Sequence, residues 1–118
     1  PQWVLLELGA NDGLRGYPIT TITTNLAAMI EQSLESGAQV AVLGIQLPPN
    51  YGERYVAPFF AQYATLTERY NTASVPFILE NIAGDSELMQ ADGLHPTISA
   101  QPIIVENVWQ NLSTFWLP

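Results

Sequence analysis

The stretch Trp3-Val4-Leu5-Leu6-Glu7-Leu8, closed by Gly9-Ala10-Asn11-Asp12-Gly13, decides how the rest of the chain is read. It is an apolar run broken only by Glu7 and ended by turn residues, the signature of a strand covered on both faces in a parallel sheet. The pattern returns at Gln39 to Ile45, through Val40, Val42, Leu43 and Ile45. It returns again at Val75 to Leu79, with Pro76 near the start, where a strand tolerates a missing N–H.

Helical patterns separate these runs. Ile22, Leu26, Met29, Ile30 and Leu34 fall on one helical face. Thr20 or Thr21 is placed to cap its start, and Gly37 stands where a glycine ends a helix. Val56, Phe59, Phe60, Tyr63, Leu66 and Tyr70 make a second stripe, in which Pro58 is acceptable only in the first turn. Ile104, Val108, Leu112 and Phe115 make a third, from about Ser99 to Phe115, with Pro102 near its beginning. Stripes of this kind mark buried faces.

The order strand, helix, strand, helix, strand, loop, helix predicts right-handed βαβ units and a parallel sheet with helices on both faces, an α/β fold. Three strands make a thin sheet, and the first run is too apolar for an open edge. Together with the abrupt start at Pro1, this sets the expectation that part of the sheet lies outside residues 1–118.

Charged residues make up 12% of the 118 and hydrophobic ones 47%, which excludes a disordered chain. The net charge is −8, with Arg15, Arg54 and Arg69 the only cations, which argues against nucleic acid and anionic membranes as partners. Without cysteine there is no disulfide, thiolate metal site or cysteine nucleophile, and one histidine makes a structural zinc site a poor fit. No apolar run reaches the ~18 residues of a transmembrane helix.

Ligands of open parallel sheets bind beyond the carboxyl ends of the strands. Gly9 to Pro18, Gln46 to Arg54 and Glu80 to His95 converge there. The last carries Asp92-Gly93-Leu94-His95-Pro96, with the only histidine three positions after an aspartate. A carboxylate beside an imidazole fixes its tautomer and stabilises the imidazolium, as a general base requires, although Asp, Gly and Pro are also turn residues. Asn11 offers amide donors to a developing oxyanion, although Asn-Asp-Gly is turn chemistry too. Gly9 and Gly13 allow tight backbone geometry, and Asp12 is read as a brace for the loop. Acyl transfer also needs a nucleophile. Ser33, Ser36 and Ser113 fall in helical patterns, Ser74 at the far end of the sheet, and Ser86 and Ser99 lack a strand-to-helix elbow.

Gly9-Ala10-Asn11-Asp12 followed by Asp92-Gly93-Leu94-His95-Pro96 resembles the third and fifth blocks of the SGNH (GDSL-type) hydrolases, and within them the thioesterase I / lysophospholipase / arylesterase branch. The flanking Val4-Leu5-Leu6-Glu7-Leu8, Leu14-Arg15-Gly16, Leu47-Pro48, Asn50-Tyr51-Gly52 and Ala100-Gln101-Pro102 are similar as well. The resemblance implies a three-layer α/β/α, flavodoxin-like fold with a five-stranded parallel sheet. It implies a serine nucleophile in a Gly-Asp-Ser-Leu-like block, with Asn11 as oxyanion donor, His95 as base and Asp92 as its partner. Gly9 would shape the oxyanion loop. Leu14, Arg15, Gly16 and Tyr17, with Pro48 and Tyr51, would line the substrate pocket.

The first two blocks of that family are not among these residues, so residues 1–118 are expected to be the C-terminal portion of one hydrolase domain. Its two N-terminal βα units would add about 50–60 residues. The expected activity is hydrolysis of small acyl esters or thioesters through an acyl-enzyme, without a cofactor or metal, with the 118 residues inactive alone. Periplasmic or secreted placement follows from the resemblance only. The rival reading is a non-catalytic fragment or interaction module whose sheet is completed by another chain. A weaker one is phosphate or metal chemistry at Asp12.

Overall fold

Three strands, β1 (Trp3–Leu6), β2 (Gln39–Leu43) and β3 (Ala73–Val75), run parallel in the spatial order β1-β2-β3, with Val4 opposite Val40 and Leu43 opposite Val75. The computed structural model describes residues 1–117, and its helices are α1 (Ala10–Leu14), α2 (Ile19–Glu35), α3 (Glu53–Tyr70) and α4 (Gln101–Trp116).

Two right-handed crossovers stepping the same way across a sheet leave both connecting helices on one face. There Leu6, Val40 and Val42 meet Ile22, Leu26 and Ile30 of α2 and Phe59, Tyr63 and Leu66 of α3. Strand side chains alternate, so Ala41, Leu43, Ala73 and Val75 point the other way, where Leu112 of α4 covers them. The result is three layers, with α2 and α3 on one side of the sheet and α4 on the other. Full burial of Ile22, Ile30, Phe59 and Leu66 stabilises the first interface by about 1.5–3 kcal/mol per side chain.

Several expectations are corrected. Only β2 is covered on both faces; in β1 Leu6 is buried while Leu5 is 43% exposed. The reason is position: among the described residues β1 is paired on one side only, with β2, and α4 packs over β3. The third strand is Ala73–Val75, not Val75 to Leu79, because Pro76 has no N–H to extend the ladder. Past it, Gly44 N–H donates to Val75 O (2.8 Å) and Ile78 N–H to Gly44 O (3.1 Å), fastening the turn to β2. A Cβ on Gly44 would stand 1.9 Å from the Pro76 carbonyl oxygen, so only glycine fits this crossing.

Helix α2 starts at Ile19 behind Pro18 (φ −55°, ψ 135°), with no side-chain cap from Thr20 or Thr21. Gly37 ends it with φ +89°, as expected. Pro58 lies beyond the first turn of α3, because that helix begins at Glu53. Its missing bond leaves the Arg54 carbonyl to solvent, and both residues are exposed. Leu34 and Phe115, expected in the core, are 38% and 53% exposed at helix ends. Phe115 still meets Trp3 edge to face, with ring centroids 6.0 Å apart.

Candidate active site

All three strands end on the same side of the sheet, and each continues into the wall of one cleft of about 390 Å³. Glu7, Ala10 and Asn11 follow β1, Gln46 to Pro48 follow β2, and Ile78 and Leu79 follow β3. Leu94, His95 and Pro96 close it from the long loop before α4. Asn11 and His95, far apart in sequence, therefore share one small volume.

The histidine loop is held by its own backbone. Gln90 N–H donates to His95 O (2.8 Å), Thr97 N–H to Leu88 O (2.8 Å) and Gly93 N–H to Gln90 O (2.9 Å), with Gly93 at φ +68°. Asp92 Oδ2 lies 2.6 Å from His95 Nδ1, while Asp92 Oδ1 accepts the N–H groups of Leu94 (2.9 Å) and His95 (3.1 Å). The imidazole contact first, then these two N–H donors, hold the Asp92 carboxyl at about 2, below its ordinary 3.8. An ionised carboxylate only accepts, so Nδ1 of a neutral imidazole carries the proton and Nε2 is the basic nitrogen.

The segment bearing Asn11, read from sequence as a turn, is the short helix α1, entered through Gly9 at φ +112°. Three tyrosines from the region after β2 fasten it. Tyr63 donates to Leu8 O (2.8 Å), Tyr51 to Leu14 O (3.1 Å) and Tyr55 to Tyr17 O (2.5 Å). Burial first, then the charge of Asp12, pushes the Tyr63 phenol far above its ordinary value, so it stays a neutral donor. Asp12 braces the loop through its backbone carbonyl, which accepts Tyr17 N–H at 3.1 Å.

Of the residues expected from sequence, Asn11, Leu14, Pro48 and His95 line the cleft, with Asp92 behind His95. Gly9 lines a neighbouring groove with Leu8, Asp12 and Met29. Arg15, Gly16, Tyr17 and Tyr51 are exposed outside the cleft lining. Sequence reading missed Glu7, Gln101 and Ile104 in the wall; Glu7 announces itself only as the one charge in an apolar run. A second cavity, also about 390 Å³, lies between α3 and β3 and is walled by Phe60, Ala64, Val75 and Pro76. It contains neither His95 nor Asn11.

The profile of the GDSL-like Lipase/Acylhydrolase family matches residues 1–101, Asn11 and the Asp92–His95 pair included. The chain belongs to this family. It is 49% identical over 112 residues to Esterase TesA of Pseudomonas aeruginosa, covering 95% of this chain and 56% of that one. Against the arylesterase of Vibrio mimicus the figures are the same. It is 38% identical over 106 residues to thioesterase 1/protease 1/lysophospholipase L1 of Escherichia coli K12, covering 90% and 51%.

The GDSL-family chain also superposes on the crystal structure of TesA with a TM-score of 0.92 and 48% identity, over 97% of this chain and 63% of that one. The psychrotrophic esterase EstA of Pseudoalteromonas sp., in a structure inhibited by monoethylphosphonate, gives 0.91 and 41% over 100% and 64%. The chain thus spans about half the length of the curated relatives it matches. Among the described residues, no helix is long and apolar enough to cross a membrane.

Proposed function

We propose that this chain is the C-terminal portion of a single serine hydrolase domain that cleaves carboxylic esters or thioesters through an acyl-enzyme. The observation carrying this is the shared cleft of Asn11 and His95, with Asp92 on the imidazole at 2.6 Å. In this reading a serine hydroxyl from outside residues 1–118 attacks the substrate carbonyl while its proton passes to His95 Nε2. The Asn11 side-chain amide donates to the oxyanion, and His95 returns the proton to the departing alcohol or thiol. Water, activated by His95, then releases the acid. Leu14 and Pro48 contact the acyl group, and the Arg15–Tyr17 segment with Tyr51 borders its path. The relatives support the substrate class by name, and the phosphonate on EstA has the tetrahedral shape of the intermediate.

The test compares two proteins. The full-length protein should hydrolyse p-nitrophenyl butyrate and take a fluorophosphonate label on one serine outside these residues. The isolated 118 residues should show neither. Turnover by the isolated chain, with label on Ser86 or Ser99, would overturn the assignment.

One observation favours a second reading. The outer edge of β1 is unpaired among the described residues, and Leu5 and Leu8 are 43% and 49% exposed beside it. An interaction module would pair this edge with another chain. Size-exclusion chromatography over a dilution series separates the two, since a monomer at all concentrations counts against pairing between copies.

A further inference from the structure

Two glycines flank Asn11 in sequence, and α3 presents an aromatic ring to each. A Cβ on Gly9 would stand 2.5 Å from the Tyr63 hydroxyl oxygen, and one on Gly13 would stand 2.5 Å from Phe59 Cε2. The two rings, one helical turn apart, meet edge to face with centroids at 5.7 Å, and both are buried. The Tyr63 hydroxyl also donates to Leu8 O, the carbonyl of the peptide that leads into Gly9. Glycine leaves that peptide free to rotate, so something else must select its orientation.

We propose that Tyr63 is a positioning residue for the Asn11 amide, fixing the Leu8–Gly9 peptide through its hydroxyl and the entry into α1 at Gly9 through its ring. Tyr63 is no part of the cleft wall and touches no substrate there. It acts by determining where the chain leaves β1, two residues before the oxyanion donor. The inference rests on the hydrolase reading above and adds to it a residue on the far side of the loop. Without the hydroxyl, the Leu8 carbonyl loses its partner, and the peptide is free to turn toward another donor or solvent.

The experiment is a double-mutant cycle in the full-length protein with Asn11→Ala, Tyr63→Phe and the pair. Tyr63→Phe should lower kcat about tenfold with KM within about twofold, since a small misplacement near the reacting atoms costs transition-state stabilisation rather than binding. In the Asn11→Ala background the same change should cost less than about twofold, because no amide remains to be positioned. Incorporation of 3-fluorotyrosine at position 63, which keeps ring and hydroxyl, should restore kcat.

Equal losses from Tyr63→Phe in both backgrounds would make Tyr63 merely structural and overturn the proposal. So would full kcat in Tyr63→Phe alongside a slow Asn11→Ala. Should Tyr63→Phe fail to fold, 4-fluorophenylalanine at position 63, which fills the space of the hydroxyl but cannot donate to Leu8 O, takes its place in the cycle: a loss of kcat confined to the Asn11 background supports the proposal, and equal losses in both backgrounds or full kcat overturn it. An Asn11→Ala enzyme as fast as wild type would instead remove the oxyanion reading itself.

Discussion

His95 is bound to Asp92 at both its ring and its backbone: Nδ1 sits 2.6 Å from Oδ2, and the His95 N–H donates to Oδ1 at 3.1 Å. One carboxylate thus sets the tautomer of the imidazole and the turn that presents it. The His95 side chain is nevertheless 69% exposed, so its placement depends on this pair rather than on packing.

Replacing Asp92 with Asn keeps the shape and removes the charge. An amide at that place also turns a donor toward Nδ1, which favours the wrong tautomer. The full-length enzyme should lose about 10²–10⁴ in kcat with little change in KM, the loss expected when a base loses its orienting carboxylate. Steady-state kinetics on a p-nitrophenyl ester measures it, and turnover within a few-fold of wild type would count against the role given to Asp92.

The acid titration has a definite sign. The Asp92 carboxyl titrates at about 2 in the folded chain against 3.8 ordinarily. The folded state therefore binds this proton more weakly than the unfolded chain. The pair's contribution to stability is fully present above about pH 4. It is lost as pH falls through about 2. A carbon-detected NMR titration of the Asp92 carboxyl should show its midpoint near 2; a midpoint near 4 would mean the pair does not form in solution.

Gly9→Ala meets two obstacles, the positive φ of +112° and the Tyr63 oxygen 2.5 Å from the new Cβ. Left-handed strain costs of order 1–3 kcal/mol, and the overlap adds to it. Combining it with Tyr63→Phe removes the oxygen and leaves the nearest ring carbon at 3.6 Å. Urea denaturation should show the double variant more stable than the sum of the two singles predicts.

Gly13→Ala sets helix propensity against packing. Alanine is favoured over glycine inside a helix by about 0.8–1 kcal/mol. The new Cβ, however, would lie 2.5 Å from Phe59 and 3.0 Å from Leu47, and Phe59 is fully buried with nowhere to move. Overpacking costs about 1–3 kcal/mol, so the net effect is a lower Tm in thermal unfolding. Phe59→Ala should be worse, at about 3–5 kcal/mol for an emptied core site.

Tyr55→Phe frees the Tyr17 carbonyl from the hydroxyl that clamps it across the loop. Tyr55 is half-buried at the margin of the first core interface, and the phenylalanine ring keeps that packing, so global stability should change by less than about 1.5 kcal/mol, the worth of one hydrogen bond. Hydrogen exchange at residues 15–17 should accelerate while β2 stays protected.

The chain's own order of residues determined the alternation of strands and helices, because burial on a sheet or helix face leaves a local periodic imprint. Ile22, Leu26 and Ile30, or Val40 and Val42, carry that imprint within a few positions of each other. The Asp92–His95 pair was legible for the same reason, since three residues of tight turn suffice to bring the two side chains together. Tertiary structure alone decided that α1 replaces a turn, that β3 stops before Pro76, and that Leu5 is exposed. It also decided that Tyr63 meets Leu8 and that Asn11 and His95 line one cleft. Those contacts join segments whose approach depends on how the strands stack and which way each crossover turns, and no short window of sequence encodes either.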